Sequence, residues 1–518
     1  MRANWKSRLM ASVAVSASAM LFPAISSAQS WAGAPGDDAI ARGQYLAMIG
    51  GCKHCHTADA GDYAGGVVLG TPFGELVGPN ITPDPETGIG TWTRDDFEGA
   101  LRQGRQKDGG PLYPAMPYLS FTQMTDQDID DLWAYFRNVE PVTHEVEVIQ
   151  LPFPFNIRTG VNAWQVLYFD AHRFEPDAEK SDQINRGRYL AEGPVHCTSC
   201  HTPRNAIGGP IEDRAYQGAL VDGWYAPNIS GTQGSALEKF DQETLTAYLA
   251  DEHPDGLAAF GAMYQVTESL QDAQRSDIEA IAAFILDRAE DDEPGRGPEI
   301  EGIPDEVMER GAGVYEAQCQ SCHAEDGMGG ENAARLVDNG GVNAQSPMNV
   351  VNVLLQGIET RNQFGPMPSF VNVLSDQELS DVSNYVRRSW GNDGPESATP
   401  EMVAESRPDA EETDSIDLTT NCPAPGNYEI PAGVRTQVGD LAGQTVAEED
   451  IAPLVEGFHA AEPDAGYSEA MAALTAEYCL ALAEAEPAVG RSVFLERQLS
   501  FMNEIDDAMR AAGMTPGE

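Results

Sequence analysis

The chain has 518 residues, more than one hydrophobic core accommodates and enough for three or four domains. Its 82 acidic residues against 31 Lys and Arg give a formal net charge of −51, which argues against nucleic acid or an anionic lipid surface as partner. The same imbalance favours a basic docking patch on whatever protein meets it, or serves solubility alone.

The first residues read as an export signal spanning 1–28. Arg2, Lys6 and Arg8 precede a small and apolar run from Leu9 to Ile25, and Ser26-Ser27-Ala28 supplies a small-residue cleavage site. The mature chain is expected to begin near Gln29, in the periplasm. No other stretch is long and apolar enough to span a bilayer, so membrane contact would come through a partner or a peripheral surface.

Three times the pattern Cys-X-X-Cys-His follows: Cys52, Cys55 and His56; Cys197, Cys200 and His201; Cys319, Cys322 and His323. Two thiols on one short turn can each add to a haem vinyl group while the adjoining imidazole ligates iron from below, so the pattern marks covalent attachment of haem c. A bare Cys-X-X-Cys is shared with redox pairs and zinc knuckles, but the histidine recurs directly after every copy. Three covalently bound haem c groups are therefore expected.

The flanking sequence repeats with the motifs. Ahead of each stands a helix-like stretch with an Arg-Gly pair, beginning at Arg42-Gly43, Arg186-Gly187 and Arg310-Gly311. At the far end of each repeat lies an amphipathic stripe: Ile129, Leu132, Tyr135 and Phe136; Ile278, Ile281, Phe284 and Ile285; Leu379, Val382, Tyr385 and Val386. Thr125 with Asp128 and Ser375 with Glu378 have the spacing of N-terminal caps. The glycine of each first helix lets the later helix cross closely, with an aromatic filling the contact.

This pattern predicts a mainly α protein of three tandem haem-carrying domains, each a crossed pair of helices beside its haem, and a small helical C-terminal extension. The expected boundaries are 29–180, 181–292 and 304–392, then an acidic linker over 393–420 and the extension over 421–518. In the extension, segments around Tyr467 to Glu486 and Val489 to Ala512 read as helices. Cys422 and Cys479 are expected to pair as a disulfide, with two free thiols as the alternative.

A methionine in a Pro- or Gly-rich loop before each last helix is the expected sixth iron ligand: Met116, Met263 and Met367. Met124 competes for the first haem, His253 for the second, and Met328 or Met348 for the third. His54 and His196 adjoin the attachment cysteines and are expected to be solvated. Gly78-Pro79-Asn80-Ile81 and Ala226-Pro227-Asn228-Ile229 match each other, and a carbonyl there is expected to accept the Nδ1 proton of His56 or His201, with an ordinary proline turn as the alternative. A thioether ligand stabilises ferrous iron and raises the reduction potential, which suits an electron relay.

In Asn80-Ile81-Thr82-Pro83-Asp84, Gly88-Ile89-Gly90-Thr91-Trp92, Leu112 to Tyr118, Gly223 to Ile229 and Asn384 to Asn392, the chain resembles the triheme cytochrome c subunits of membrane-bound periplasmic dehydrogenases. The resemblance implies a mainly α fold of three tandem class I cytochrome c domains, His/Met ligation and a non-catalytic subunit. Such a subunit takes electrons from a quinoprotein, flavoprotein or molybdenum catalytic subunit and passes them toward quinone or a terminal oxidase or cytochrome. A free-standing multihaem periplasmic carrier is the alternative, and a multihaem peroxidase or reductase, which needs an open iron site, a further one. The third repeat lacks a clear Pro-Asn-Ile segment, and the chain continues well past it.

Overall fold

A computed structural model of the chain describes Ala34, Gly36 and residues 38–514, apart from 233, 292–299, 301, 331–332, 359–363, 365–366, 408–421, 423–429, 445, 447, 464 and 486–490. The export signal expected over 1–28 lies outside these residues. The described chain is mainly helical.

Its framework is three pairs of crossed helices: Ala39–Ile49 with Asp126–Phe136, Asp182–Glu192 with Arg275–Asp291, and Asp305–Gln318 with Asp376–Val386. Each crossing is set by its glycine. A Cβ built on Gly43 would stand 2.0 Å from the Asp131 carbonyl oxygen, on Gly187 1.8 Å from that of Ala280, and on Gly311 2.3 Å from that of Asp381. The next nearest contact in each is the Cβ of Tyr135, Phe284 or Tyr385, so backbone meets backbone with an aromatic closing the edge. The neighbouring arginine pins the crossing from outside, Arg42 to Asp131 at 2.7 and 2.8 Å and Arg310 to Asp381 at 2.6 and 3.2 Å. In the middle pair the residue matching those aspartates is Ala280, and Arg186 reaches one turn back to Asp277 at 2.9 and 2.7 Å.

The apolar stripes face inward. Ile129, Ile281, Leu379 and Val382 are all buried. Ser375 and Glu378 form a full capping box, whereas Thr125 caps the Asp128 amide and leaves the Asp128 carboxylate for another partner.

That partner defines the junction between the first two pairs. Tyr45 Oη donates to Asp277 at 2.6 Å and accepts from the Gln274 amide at 3.3 Å. Reciprocally, Tyr189 Oη donates to Asp128 and accepts from the Thr125 amide at 3.0 Å. Tyr45 and Tyr189 occupy the same repeat position, as do Asp128 and Asp277, so the two pairs meet by exchanging one contact about a local pseudo-two-fold. One continuous apolar core runs through both, from Leu46 and Ile129 to Leu190 and Ile281. The third pair has Gly313 at the tyrosine position and a core of its own around Val351 and Leu379. It is joined to the second by a hairpin, strands Ala219–Val221 and Trp224–Ala226, whose Tyr225 amide and carbonyl bond the Asn349 side chain at 2.8 and 2.9 Å.

Three findings correct the expected layout. A small antiparallel sheet, order Val68–Thr71, Gly74–Val77, Ile149–Gln150, is present in the first unit. The stretch from Glu140 to Asp182, whose Pro-rich and acidic sequence reads as a separator between units, is not a plain spacer, since it supplies that third strand and the helix Gly160–Tyr168. Residues 393–407, expected within the acidic linker of 393–420, belong to the third unit: helix Pro400–Ser406 buries Val403 completely, and Arg407 bonds Asp376 at 2.5 Å. Residues 408–420 lie outside the described chain.

The extension forms a bundle of helices Ala432–Leu441, Glu448–Ala461, Tyr467–Ala485 and Arg491–Ala511, of which the first two carry no sequence signal strong enough to be expected. A disulfide joins Cys422 to Cys479. No helix among the described residues is long and apolar enough to cross a membrane.

Candidate haem sites

Each Cys-X-X-Cys-His segment is a short helical turn at the end of the first helix of its pair: Cys52–His56, Thr198–His201 preceded by Cys197, and Gln320–His323 preceded by Cys319. The turns bury His56 and His201 and half-bury His323, and burial holds all three below the ordinary histidine range, so each stays neutral near pH 7. Nδ1 faces a backbone carbonyl in every case: Pro79 at 2.7 Å from His56, Pro227 at 2.8 Å from His201, and Ala334 at 3.1 Å from His323. With the proton on Nδ1, Nε2 is the ring's ligand atom, turned and made more basic by the carbonyl behind it.

Gly78 brings the first of these carbonyls close, for a Cβ there would fall 1.6 Å from the Cys55 carbonyl oxygen. The six motif cysteines take no part in a disulfide. Burial pushes the thiols of Cys52, Cys197 and Cys319 up to about 12 and that of Cys322 up to about 11, the marks of an apolar cradle rather than of a thiolate site. Paired thiols, a neutral imidazole with an oriented Nε2 and an apolar wall form a donor set that fits covalently held haem.

Met116 and Met263 pack half-buried on the core shared by the first two pairs, and Met367 on that of the third. Met116 lies in a turn in which the Tyr118 amide bonds its carbonyl at 2.8 Å. Met367 exchanges two backbone hydrogen bonds with Ile358, both 2.8 Å. Met263 differs from the expected loop: it stands in the first turn of helix Ala262–Leu270, behind Gly261 at φ 58°.

Among the competitors, Met124 is sealed in the core and Met328 is exposed. Met348 begins helix Met348–Gln356. His253 is engaged elsewhere, its Nε2 3.1 Å from Asp251 and its ring edge-on to Phe364 of the third unit.

The expectation of solvated His54 and His196 is overturned. Both are half-buried at the junction of the first two units, where His196 Nε2 lies 3.4 Å from the Gly50 carbonyl and His54 Nε2 3.6 Å from Glu268. Burial lowers both pKa values. These two attachment turns are close neighbours, close enough for the Cys200 thiol to raise that of Cys55. The third turn is covered by the extension: Cys322 packs on the bundle's core, and Asn503 approaches Gln318 at 3.5 Å. Sequence reasoning missed the Tyr45–Asp277 and Tyr189–Asp128 exchange, although matching tyrosines and aspartates in two repeats out of three were the available signal.

Fold and donor set together define a c-type cytochrome, a protein whose cytochrome c domains hold haem covalently. Residues 40–140 match the family described as Cytochrome c, and residues 306–386 match Cytochrome C oxidase, cbb3-type, subunit III. The chain is 34% identical over 404 residues to the gluconate 2-dehydrogenase cytochrome c subunit of Pantoea cypripedii, covering 72% of this chain and 90% of that one. It is 35% identical over 379 residues to the cytochrome c subunit of the quinone alcohol dehydrogenase of Gluconobacter oxydans, covering 69% and 79%. One subunit of the nicotinate dehydrogenase of Pseudomonas putida is 36% identical over 367 residues, and there the alignment takes 69% of this chain but only 31% of the relative. The chain belongs to the family of cytochrome c subunits of dehydrogenases, and its work is electron transfer.

Proposed function

We propose that this chain is a triheme, non-catalytic subunit that takes electrons from the catalytic polypeptide of a periplasmic dehydrogenase and hands them to quinone or to a terminal oxidase or cytochrome. Haem c would be carried at Cys52/Cys55, Cys197/Cys200 and Cys319/Cys322, with axial pairs His56/Met116, His201/Met263 and His323/Met367, in three domains of the boundaries expected above save that the third extends to 407. Export through 1–28 would deliver the chain to the compartment where the partner works, at the inner-membrane surface.

Bound haem supplies a one-electron couple at each site. The chain's residues do the rest: the carbonyls of Pro79, Pro227 and Ala334 hold the imidazoles, and the crossed helices hold the turns that carry them. The observation that carries the reading is the recurrence of this histidine–carbonyl arrangement beside all three glycine crossings. Haem quantitation and carbon monoxide titration of the reduced, purified protein test it. Three covalent haems and no carbon monoxide binding are expected, and a smaller count or ready binding at any iron defeats the assignment at that site.

A further inference from the structure

In a chain with 82 acidic residues among 518, the windows 109–125, 148–169 and 193–211 hold no Asp or Glu, as do others such as 39–58 and 339–358. The first three are far apart in sequence and converge in space. Tyr113 Oη donates to the Phe155 carbonyl at 2.7 Å, and Arg158 lies over the Tyr113 ring while donating to the Pro111 carbonyl at 3.2 Å. Trp164 Nε1 donates to the Ile207 carbonyl at 3.0 Å, and Asn205 to Tyr168 Oη at 3.0 Å. Phe73 bridges the second and third windows, its ring 5.0 Å from that of Phe155 and its edge 3.2 Å from the Cβ position of Gly208.

The surface so formed is apolar and open. Helix Gly160–Tyr168 turns Val161 inward yet leaves Val166 85% and Leu167 67% exposed, so it is apolar on its outer face as well. Phe153, 78% exposed, with Phe155, Ile157 and Ile207, continues the patch. A contiguous face of this kind marks an interaction site, and aromatic residues with arginine are the composition of an interface centre. Arg158 and Arg204 both bond backbone carbonyls, which gives the patch a positive tint on an otherwise strongly negative molecule. The patch is built on the loop bearing Met116 and on the loop just beyond His201, so an occupant would rest against the walls of the first two sites.

We infer that this face seats the catalytic polypeptide of the dehydrogenase, through an apolar surface with a neutral or acidic rim. The inference rests on the function proposed above. It replaces the basic partner patch that net charge alone suggests, because the face beside the first two sites exposes apolar rather than acidic side chains. Lipid is the less fitting occupant: the helix carries no Lys or Arg to meet headgroups, and the surrounding charge repels anionic bilayers.

The test uses the full holo-cytochrome, affinity-tagged in its native host, with a photo-crosslinking residue at position 166 and, as control, at the exposed position 309. The double variant Val166→Glu/Leu167→Glu is run beside it. The expected result is a crosslink from position 166 only, to the polypeptide whose substrate reduces the haems. The double variant, with unchanged haem content, should lose that polypeptide on purification and be reduced about tenfold more slowly or worse. A double variant that keeps the polypeptide and the rate overturns the patch while leaving the relay intact. Flotation of the wild type, but not the variant, on phosphatidylcholine vesicles with the complex undisturbed overturns it in favour of lipid. If the wild type carries no dehydrogenase polypeptide at all, the underlying function falls and this inference with it.

Discussion

Replacing Gly311 by alanine isolates the contact on which each unit is built, and Gly313, two residues along the same helix, provides its control. The new Cβ at Gly311 would lie 2.3 Å from the Asp381 carbonyl oxygen and 2.8 Å from the Tyr385 Cβ. Both are parts of helix Asp376–Val386, so neither can swing aside, and the helices must separate by about 1 Å to restore ordinary contact. Overpacking of that severity costs about 3 kcal/mol, offset by about 1 kcal/mol of helix propensity gained over glycine. The net loss of about 2 kcal/mol corresponds to roughly 10 °C in the melting of a unit this size. At Gly313 nothing lies within 4 Å of the built Cβ, so Gly313→Ala should stabilise by about 0.5–1 kcal/mol. Guanidinium unfolding of the holoprotein, followed at the haem bands and fitted with separate transitions for separate units, reads both. The reasoning fails if Gly311→Ala is as stable as the wild type, or if Gly313→Ala loses as much.

Met116→Leu should keep its haem covalently bound but lower that haem's potential and slow the relay; an unchanged redox titration refutes Met116 as ligand. Cys422→Ser opens a disulfide whose cysteines are 57 residues apart and should destabilise the C-terminal bundle by about 4 kcal/mol, measured by chemical denaturation, without altering haem content. Hydrogen bonds at helix N-termini hold Asp96, Asp241 and Glu378 below the ordinary carboxylate range. Their folded pKa values lie under the unfolded ones, so this stabilisation is complete above the unfolded values and is lost as pH falls through the folded ones. Melting temperature should therefore decline below about pH 4, and a curve that stays flat from about pH 5 to about pH 3 contradicts the caps.

The crossed helices were legible because two local rules coincide in them: an Arg-Gly pair and an apolar stripe at helical spacing, repeated three times. The haem turns were legible for the same reason, since their chemistry is compressed into consecutive residues. The strands at Val68–Thr71 and Ala219–Val221 were not, being short, glycine-flanked and without sustained alternation. Helix Pro400–Ser406 was hidden inside an acidic composition that reads as linker, although Thr399 with Pro400 is a start signal. The buried state of His54 and His196 depends on contacts between units, which no periodicity encodes.

The third site shows what the repeat keeps and what it lets go. Units one and two present a Pro-Asn-Ile turn to the imidazole, and the sequence of the third offers no such turn, which alone would suggest a histidine without orientation. Yet the Ala334 carbonyl stands 3.1 Å from His323 Nδ1, delivered by a loop in which the Leu336 amide bonds back to the Gly327 carbonyl at 2.9 Å. The physical requirement is one acceptor at one distance, and any backbone segment that the core can fix will meet it. The same unit has Gly313 where the others have Tyr45 and Tyr189, and Glu378 caps its own helix where Asp128 and Asp277 reach across to a neighbour. Freed from the reciprocal lock, it is held instead by the hairpin against Asn349 and covered at Cys322 by the disulfide-tied bundle. The first two units thus share one core, and the third has a core of its own, so perturbations at the first two should couple to each other more strongly than either does to the third.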